Sequence, residues 1–352
     1  MNKFFFSIPS TPGMGLTNQI YSLITAIISA FYIHKKCIFI GDFLCDYSKL
    51  MYINPSAILD MEKLHAFLQK RFGMTIYDLS EVNFTINNIK YGTYENHINI
   101  TESMFSNNLV HTQHNHIFIP TSLDIHTVCG YDPNPCEQKH LFLDYNLNDD
   151  NYIDDFMEDN GHLREDVLYN ITRYQHIHNH MGFPLSQDYS MFMEILENIE
   201  YNTNFVNIAN DFTKDFKGKI NVVHIRAEID GIIHWSKMNN LDEYCYHDKL
   251  IQKYIQLIEN NINKDDDTII LSHELNENIR IFLDTNNYRY HFIDKNQNGR
   301  ELNAIVDLLI GSQCNNVCIY ASGSTFSAYL VNRLPENVKK NCIDLNHLES
   351  SS

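Results

Sequence analysis

The second half of the sequence alternates short apolar runs with longer amphipathic segments, and this alternation restricts the folds that the chain can adopt. The short runs have the length of buried strands, whereas the segments between them repeat apolar residues at helical spacing. The predicted strands are 220–225, 268–271, 290–293 and 317–320, and the predicted helices are a segment through Ile208 and Phe212, then 246–260, 276–283, 301–313 and 325–334. Such repeated steps predict a parallel sheet covered by helices, which is a Rossmann-like α/β domain.

The first forty residues predict another unit of the same kind. An apolar run at 4–8 leads through a loop with Pro, Gly and Ser to a helical pattern at 20–31 and a strand at 37–40. A chain of 352 residues exceeds the usual size of a single core, and we place the domain boundary between residues 200 and 201. The stretch 42–201 has no regular pattern, and we interpret its acidic part, 149–159, as a solvated loop.

The charge balance excludes several classes of partner. Lys and Arg number 26 against 44 Asp and Glu, a net charge of −18, so the chain repels nucleic acid and anionic membranes. An anionic ligand must instead be held by a few well-placed arginines and backbone N–H groups. The most apolar helical segment, 20–33, is too short to span a bilayer. The eight cysteines are irregularly spaced, and we expect reduced thiols in a soluble, cytoplasmic protein without a signal peptide.

A glycine-containing loop stands between the first predicted strand and its helix. Gly13 and Gly15 would let the backbone approach a phosphate or a sugar, and the helix that follows presents N–H donors. The alternative is a tight turn in which Thr17 or Asn18 caps the helix.

A histidine and an arginine stand at the end of the strand predicted at 220–225. His224 and Arg226 would share one face of an extended chain, and the planar guanidinium suits a diphosphate. The alternative is an ion pair between Arg226 and Asp230 that closes the strand end.

Small hydroxyl residues follow the last predicted strand. Ser324 and Thr325 open a helix, where hydroxyls and first-turn N–H groups could bind an anion, although an ordinary helix cap has the same composition. All three features lie at strand-to-helix junctions, where α/β folds bind ligands.

These motifs together resemble a known family. Gly15-Leu16-Thr17-Asn18-Gln19, His224-Ile225-Arg226, and Asp307-Leu308-Leu309-Ile310-Gly311-Ser312-Gln313 followed by Ser324-Thr325-Phe326-Ser327 look like three ordered motifs of the fucosyltransferase superfamily. That superfamily has a GT-B fold and includes protein O-fucosyltransferases and α1,2- and α1,6-fucosyltransferases. The sequence departs from the family pattern at Thr17, where a glycine is common, and at Asp230, which lies one residue late.

The resemblance implies an α/β fold of GT-B type, with two Rossmann-like domains facing a cleft. Residues 1–200 would form the acceptor-side domain with irregular insertions, and residues 201–352 the nucleotide-sugar domain. The implied donor-binding residues are Arg226 for the β-phosphate, His224 and Asp307 for guanine, Ser324, Thr325 and Phe326 for the diphosphate, and Asn18 with Gly15 from the N-terminal domain.

The implied activity is inverting transfer of fucose from GDP-fucose to a glycan or protein hydroxyl, without metal or cofactor. We expect Arg226, Glu228 and Asp230 to be the catalytic residues, with Glu228, Asp230 or His234 as the base. Another nucleotide-linked deoxyhexose as donor, or a non-catalytic nucleotide- or glycan-binding module, remain alternatives. Two histidine groups could suggest a metal, but neither has a Cys or a carboxylate at a supporting spacing: His111, His114, His116, and His176, His178, His180.

Overall fold

The structure is a computed structural model in which two compact units follow one another along the chain. They comprise Met1–Asn202 and Thr203–Ser352, and each is described by itself. The structure describes residues 3–6, 15–32, 37–46, 51–78, 84–106, 137, 139–147, 150–159, 162–163, 186–293 and 299–345. Both histidine groups therefore lie outside the described residues, as does most of the glycine-containing loop.

The first unit begins with the predicted strand–helix–strand arrangement. Its first elements are β1 (Lys3–Phe6), α1 (Leu16–Tyr32), β2 (Cys37–Ile40), β3 (Phe43–Asp46), β4 (Met51–Ile53), α2 (Pro55–Ile58), α3 (Met61–Phe72) and β5 (Thr75–Asp78). Strands β1, β2 and β5 form a parallel sheet in that order, as a strand–helix–strand unit requires. Because α1 already begins at Leu16, Thr17 and Asn18 lie within its first turn rather than at its cap.

A second sheet in this unit is antiparallel. It is built from β6 (Phe84–Gly92), β7 (His97–Asn99), β8 (His140–Leu147), β9 (Asp150–Asp159) and β10 (His162–Leu163), in the order β10-β9-β8-β6-β7, with α4 (Thr101–Ser106) after β7. The interpretation of 149–159 as a solvated loop is wrong, because β9 pairs with β8 in continuous register. Its acidic side chains do not prevent the backbone from completing this ladder.

Helix α5 (Ser186–Asn198) closes the first unit. It packs on α1, where the rings of Tyr21 and Phe192 meet edge to face at 5.2 Å between centroids. Among the described residues, no helix combines the length and the apolar character needed to cross a bilayer.

The second unit is a parallel five-stranded sheet with helices between its strands. Its elements are α6 (Thr203–Thr213), β11 (Ile220–His224), α7 (Ile229–Met238), α8 (Glu243–Asn261), β12 (Asp267–Leu271), α9 (Glu277–Thr285), β13 (Tyr290–Phe292), α10 (Arg300–Gly311), β14 (Cys318–Tyr320), α11 (Thr325–Arg333), α12 (Glu336–Lys339) and β15 (Cys342–Asp344). The predicted strands and helices of this half are confirmed, whereas α7, α12 and β15 are additional.

The order of the strands locates a ligand-binding position in this sheet. The order is β13-β12-β11-β14-β15, so the chain winds outward in one direction from β11 and in the other direction from β14. Parallel sheets bind ligands outside the carboxyl ends of the two strands at which the winding reverses. In this sheet those two strands are β11 and β14.

Candidate functional site

The carboxyl ends of β11 and β14 bring the second and third sequence motifs together. His224, the last residue of β11, is 6% exposed, and its Nδ1 lies 2.6 Å from Ser327 Oγ in the first turn of α11. The imidazole also packs on the Phe326 ring, with 4.6 Å between centroids. Ser327 Oγ in addition accepts a hydrogen bond from the Ala321 N–H at 3.3 Å. One buried hydroxyl thus ties the ends of two neighbouring strands to the start of a helix.

A buried tyrosine fixes the backbone between the histidine and the arginine. The Tyr254 hydroxyl, on α8, accepts from the Arg226 N–H and donates to the His224 carbonyl, both at 3.1 Å. Tyr254 is fully buried, and this burial raises the pKa of its hydroxyl well above the ordinary value of a tyrosine. The hydroxyl therefore stays protonated and holds the end of β11 in a defined conformation.

Arg226 lies just beyond the strand end, beside the first turn of α7. Its Nη1 is 2.5 Å from Glu228 Oε2, and the two side chains are 23% and 24% exposed. A Cβ on Gly231 would lie 3.7 Å from Arg226 Nε, so the guanidinium rests over this glycine. Glu228, one of the residues expected to act as base, is therefore an ion-pair partner of Arg226. The Asp230 side chain lies outside the described residues, so the alternative pairing of Arg226 with Asp230 stays a hypothesis.

The turn after β14 is closely packed against its surroundings. The Ser324 N–H donates to the Ala321 carbonyl at 3.0 Å, and the Ser322 N–H donates to Asp344 Oδ1, on β15, at 3.1 Å. A Cβ on Gly323 would overlap the indole of Trp235, on α7. Only a glycine at this position lets the ring lie so close to the backbone.

The start of α11 has the features of an anion site. Ser324 is the N-cap of the helix, yet its side chain makes no capping hydrogen bond. Thr325 and Phe326 follow in the first turn and are half-buried. First-turn N–H groups that the cap does not engage can donate to an anionic oxygen.

The predicted residues of the first unit lie at the start of α1. The Gly15 carbonyl accepts from the N–H groups of Asn18 and Gln19, at 3.0 and 3.2 Å. Asn18 Oδ1 is buried and has no hydrogen-bond partner within the described part of the chain. Gln19 has a structural role, because its side-chain amide bonds both backbone groups of Leu44, at 2.8 and 2.9 Å.

Asp307 lies in the middle of α10 and is 8% exposed. This helix is pressed against the sheet, since a Cβ on Gly311 would lie 2.8 Å from Leu271 Cδ1. The role of Asp307 as a guanine contact stays a prediction.

The described residues offer no arrangement suited to a metal. Within them, no group of three His, Cys, Asp or Glu side chains is placed to hold an ion. The acidic triplet Asp265-Asp266-Asp267 leads into β12 at the amino end of the sheet, opposite to the site. There Asp267 Oδ1 pairs with His291 Nε2 at 2.9 Å.

The sequence assigned no definite role to several residues of the site. Tyr254, Trp235 with Gly323, and Asp344 position the backbone of the site, and Ser327 joins its two halves. The pairing of Arg226 with Glu228 was also not predicted, although the spacing of the two residues was a signal for it. Two residues apart on extended backbone, they share a face by the same rule that pairs His224 with Arg226.

Comparison with known proteins places the fold. No protein-family model matches the sequence, and no curated protein matches it either. Among solved structures, the chain is similar to POFUT1 in complex with GDP-fucose, with a TM-score of 0.53 and 10% identity over 97% of each chain. The fold is therefore α/β of the GT-B type found in fucosyltransferases, as the resemblance in the sequence predicted.

Two shorter matches have lower scores. POFUT1 in complex with GDP aligns with 44% of this chain at a TM-score of 0.32 and 12% identity. NodZ α-1,6-fucosyltransferase soaked with GDP-fucose aligns with 42% at a TM-score of 0.30 and 12% identity. In these two matches the chain covers only about half of the other protein, 50% and 47% respectively.

Proposed function

We propose that this protein is an inverting, metal-independent glycosyltransferase that transfers fucose from GDP-fucose to a hydroxyl of a glycan or a protein. The observation that carries the proposal is the buried contact between His224 and Ser327. This contact joins the end of β11, which Arg226 follows, to the N-terminus of α11. Both lie where the winding of the sheet reverses, between β11 and β14. A cation and a set of N–H donors side by side suit a diphosphate.

The proposed donor site has a definite chemistry. Arg226 pairs with the β-phosphate, while Ser324, Thr325 and Phe326 bind the diphosphate through hydroxyls and first-turn N–H groups. His224 and Asp307 contact the guanine. Gly15 and Asn18 also bind the donor, and Asn18 Oδ1, which is buried and has no hydrogen-bond partner among the described residues, can accept from a ligand hydroxyl.

The proposed reaction is a single displacement. The acceptor oxygen attacks the anomeric carbon from the side opposite GDP, the bond to the β-phosphate oxygen breaks, and Glu228 or Asp230 takes the hydroxyl proton. Arg226 and the N–H groups of α11 stabilise the charge that develops on the diphosphate. Because these groups supply the electrostatic stabilisation, the reaction needs no divalent cation.

The location is part of the proposal. We place the protein in the cytoplasm, where its nucleotide-sugar donor and reduced thiols would both be present. The six cysteines within the described residues are free thiols, which fits a reducing compartment.

The proposal is tested by incubating the purified protein with GDP-fucose, GDP-mannose, a UDP-sugar and dTDP-rhamnose, and measuring nucleotide release with and without excess EDTA. We expect release of GDP from GDP-fucose at a rate that EDTA does not change. Preference for another nucleotide-linked deoxyhexose would show that this compound, rather than GDP-fucose, is the donor. Binding of GDP without turnover of any donor would indicate a non-catalytic module, and activity that only Mn²⁺ or Mg²⁺ restores after EDTA would overturn the mechanism.

A further inference from the structure

Three cysteines meet at the amino end of β14 and β15, away from the proposed donor site. Cys318 is the first residue of β14 and Cys342 the first residue of β15, and the two are direct partners in the parallel ladder. Cys314 precedes β14. The nearby thiols of Cys314 and Cys342 raise the pKa of the Cys318 thiol.

The strand register suits a disulfide between Cys318 and Cys342. Neighbouring strands lie about 4.7–4.9 Å apart, and a disulfide joins Cα atoms about 4.4–6.8 Å apart. Paired residues also project to the same side of a sheet. The Cys342 thiol donates to the Val338 carbonyl at 3.6 Å, and the Cys314 thiol donates to the Val317 carbonyl at 3.3 Å.

The three thiols differ in access and in acidity. Cys342 is half-buried, whereas Cys314 and Cys318 are buried, so a dissolved oxidant reaches Cys342 first. The hydrogen bond from Cys318 and the nearby Lys339 ammonium lower the pKa of Cys342, which favours its reactive thiolate. Hydrogen bonding to its two neighbours and burial raise the pKa of Cys318. The cluster is not suited to a metal, since no group of three His, Cys, Asp or Glu within the described residues can hold an ion.

We propose that Cys342 and Cys318 form a site of oxidation by hydroperoxides and close to a disulfide. The Cys342 thiolate attacks a peroxide oxygen and becomes a sulfenic acid as the O–O bond breaks, releasing water once the departing oxygen is protonated. Cys318 then attacks the Cys342 sulfur and displaces a second water. Two thiols lose two electrons and two protons, and one H₂O₂ becomes two H₂O.

The bond would join the edge strand of the sheet to its neighbour. β15 is the edge strand, and its Asp344 accepts the Ser322 N–H in the turn before α11. A Cys318–Cys342 disulfide fastens this strand to β14 and thereby fixes the residue that holds the turn. In a reducing compartment such a disulfide is transient, and it forms when the protein is exposed to peroxide.

The test is peptide mapping of the full chain without reduction, after treatment with a few equivalents of H₂O₂. We expect a Cys318–Cys342 linkage that dithiothreitol reverses, together with a rise in the thermal unfolding midpoint of about 5–10 °C. Cys342→Ser should abolish the linkage and the rise. Cys314→Ala should retain both, and Cys245→Ser, which alters an exposed thiol on α8, serves as the matched control.

Three results would overturn the proposal. These are unreacted thiols at peroxide concentrations that oxidise Cys245, a dominant Cys314–Cys318 linkage, or conversion of Cys342 to sulfinic acid without any linkage. None of these readouts uses catalytic activity, so they are independent of the proposed function.

Discussion

His224 Nδ1 and Ser327 Oγ lie 2.6 Å apart although 103 positions separate them in the sequence, and this contact joins two strand ends into one site. The hydroxyl also accepts the Ala321 N–H, so it serves both β11 and the turn after β14. Both ends of this contact are buried. A hydrogen bond of this kind is costly to break, because each buried group loses its partner without gaining water.

Ser327→Ala should therefore destabilise the second unit. Leaving the His224 nitrogen and the Ala321 N–H unsatisfied costs about 1–3 kcal/mol in the free energy of unfolding, measurable by urea denaturation. The matched control is Ser236→Ala, since Ser236 is similarly buried but its hydroxyl donates to the Ile233 carbonyl of its own helix. Equal losses in both variants would contradict the joining role of Ser327.

Gly323→Ala should be destabilising because its Cβ would overlap the Trp235 indole. Overpacking of this kind costs about 1–3 kcal/mol, and the emission of the only tryptophan in the chain should shift as the ring moves. Gly231→Ala is the paired comparison, because its Cβ would meet Arg226 at an ordinary 3.7 Å. That helical substitution should stabilise by about 0.5–1 kcal/mol. Stability changes of the same sign in both variants would contradict the close packing of Trp235 on Gly323.

The secondary structure of the second unit was predictable from the sequence, whereas the arrangement of its strands was not. Strands β11 and β12 have apolar pairs at their centres, Val222-Val223 and Ile269-Ile270, because both faces of a parallel sheet are buried. The neighbours of each strand depend on packing across the whole sheet, which no local pattern records. The sequence identified His224, Arg226 and Ser324 at strand ends, but only the order of the strands places β11 beside β14.

Two other elements escaped prediction for physical reasons. In α7 the apolar residues Ile229 and Met238 are 73% and 63% exposed, whereas Ser236 is buried. The apolar residues of this helix therefore do not indicate which of its faces is buried. In β9 the acidic composition suggested solvation, yet backbone pairing with β8 determines its structure. Tyr254 is one buried aromatic residue of α8 among several apolar ones, and nothing in the sequence distinguishes its hydroxyl.

Tyr254 predicts a dependence of stability on pH. Burial raises the pKa of this tyrosine in the folded state, so the unfolded chain loses the proton first. Its contribution to stability is complete below about pH 10 and falls above that by about 1.4 kcal/mol per pH unit. Tyr254→Phe should be less stable at pH 8 but should lose stability less steeply above pH 10, as followed by urea unfolding at several pH values.

Tyr244→Phe is the control for this series, because Tyr244 lies on the same helix and is 80% exposed. We expect this variant to unfold as the wild type does at pH 8. An alkaline slope in Tyr254→Phe as steep as that of the wild type would contradict the assigned role of the Tyr254 hydroxyl.

Glu228→Gln should separate nucleotide binding from catalysis. Removing the carboxylate that pairs with Arg226 should leave GDP affinity equal or somewhat higher, because no anion then competes with the diphosphate. If Glu228 is the base, turnover of GDP-fucose should fall by about 10²–10⁴-fold. The control is Glu277→Gln, since Glu277 forms an exposed ion pair with Arg280 on α9. Undiminished turnover in Glu228→Gln would exclude Glu228 as the base and leave Asp230 and His234 as the candidates.

The central claim is that Arg226 binds the diphosphate of a guanine nucleotide, and titration calorimetry with GDP tests it most directly. A charge-assisted contact is worth about 1.5–3 kcal/mol, so Arg226→Ala should weaken GDP binding by about 10–100-fold. Arg226→Lys should also bind GDP poorly, because a lysine keeps the charge but cannot form a bidentate contact with the phosphate. Arg280→Ala, which removes an exposed arginine that pairs with Glu277, should bind GDP as the wild type does. Wild-type affinity in a folded Arg226→Ala protein would contradict the account.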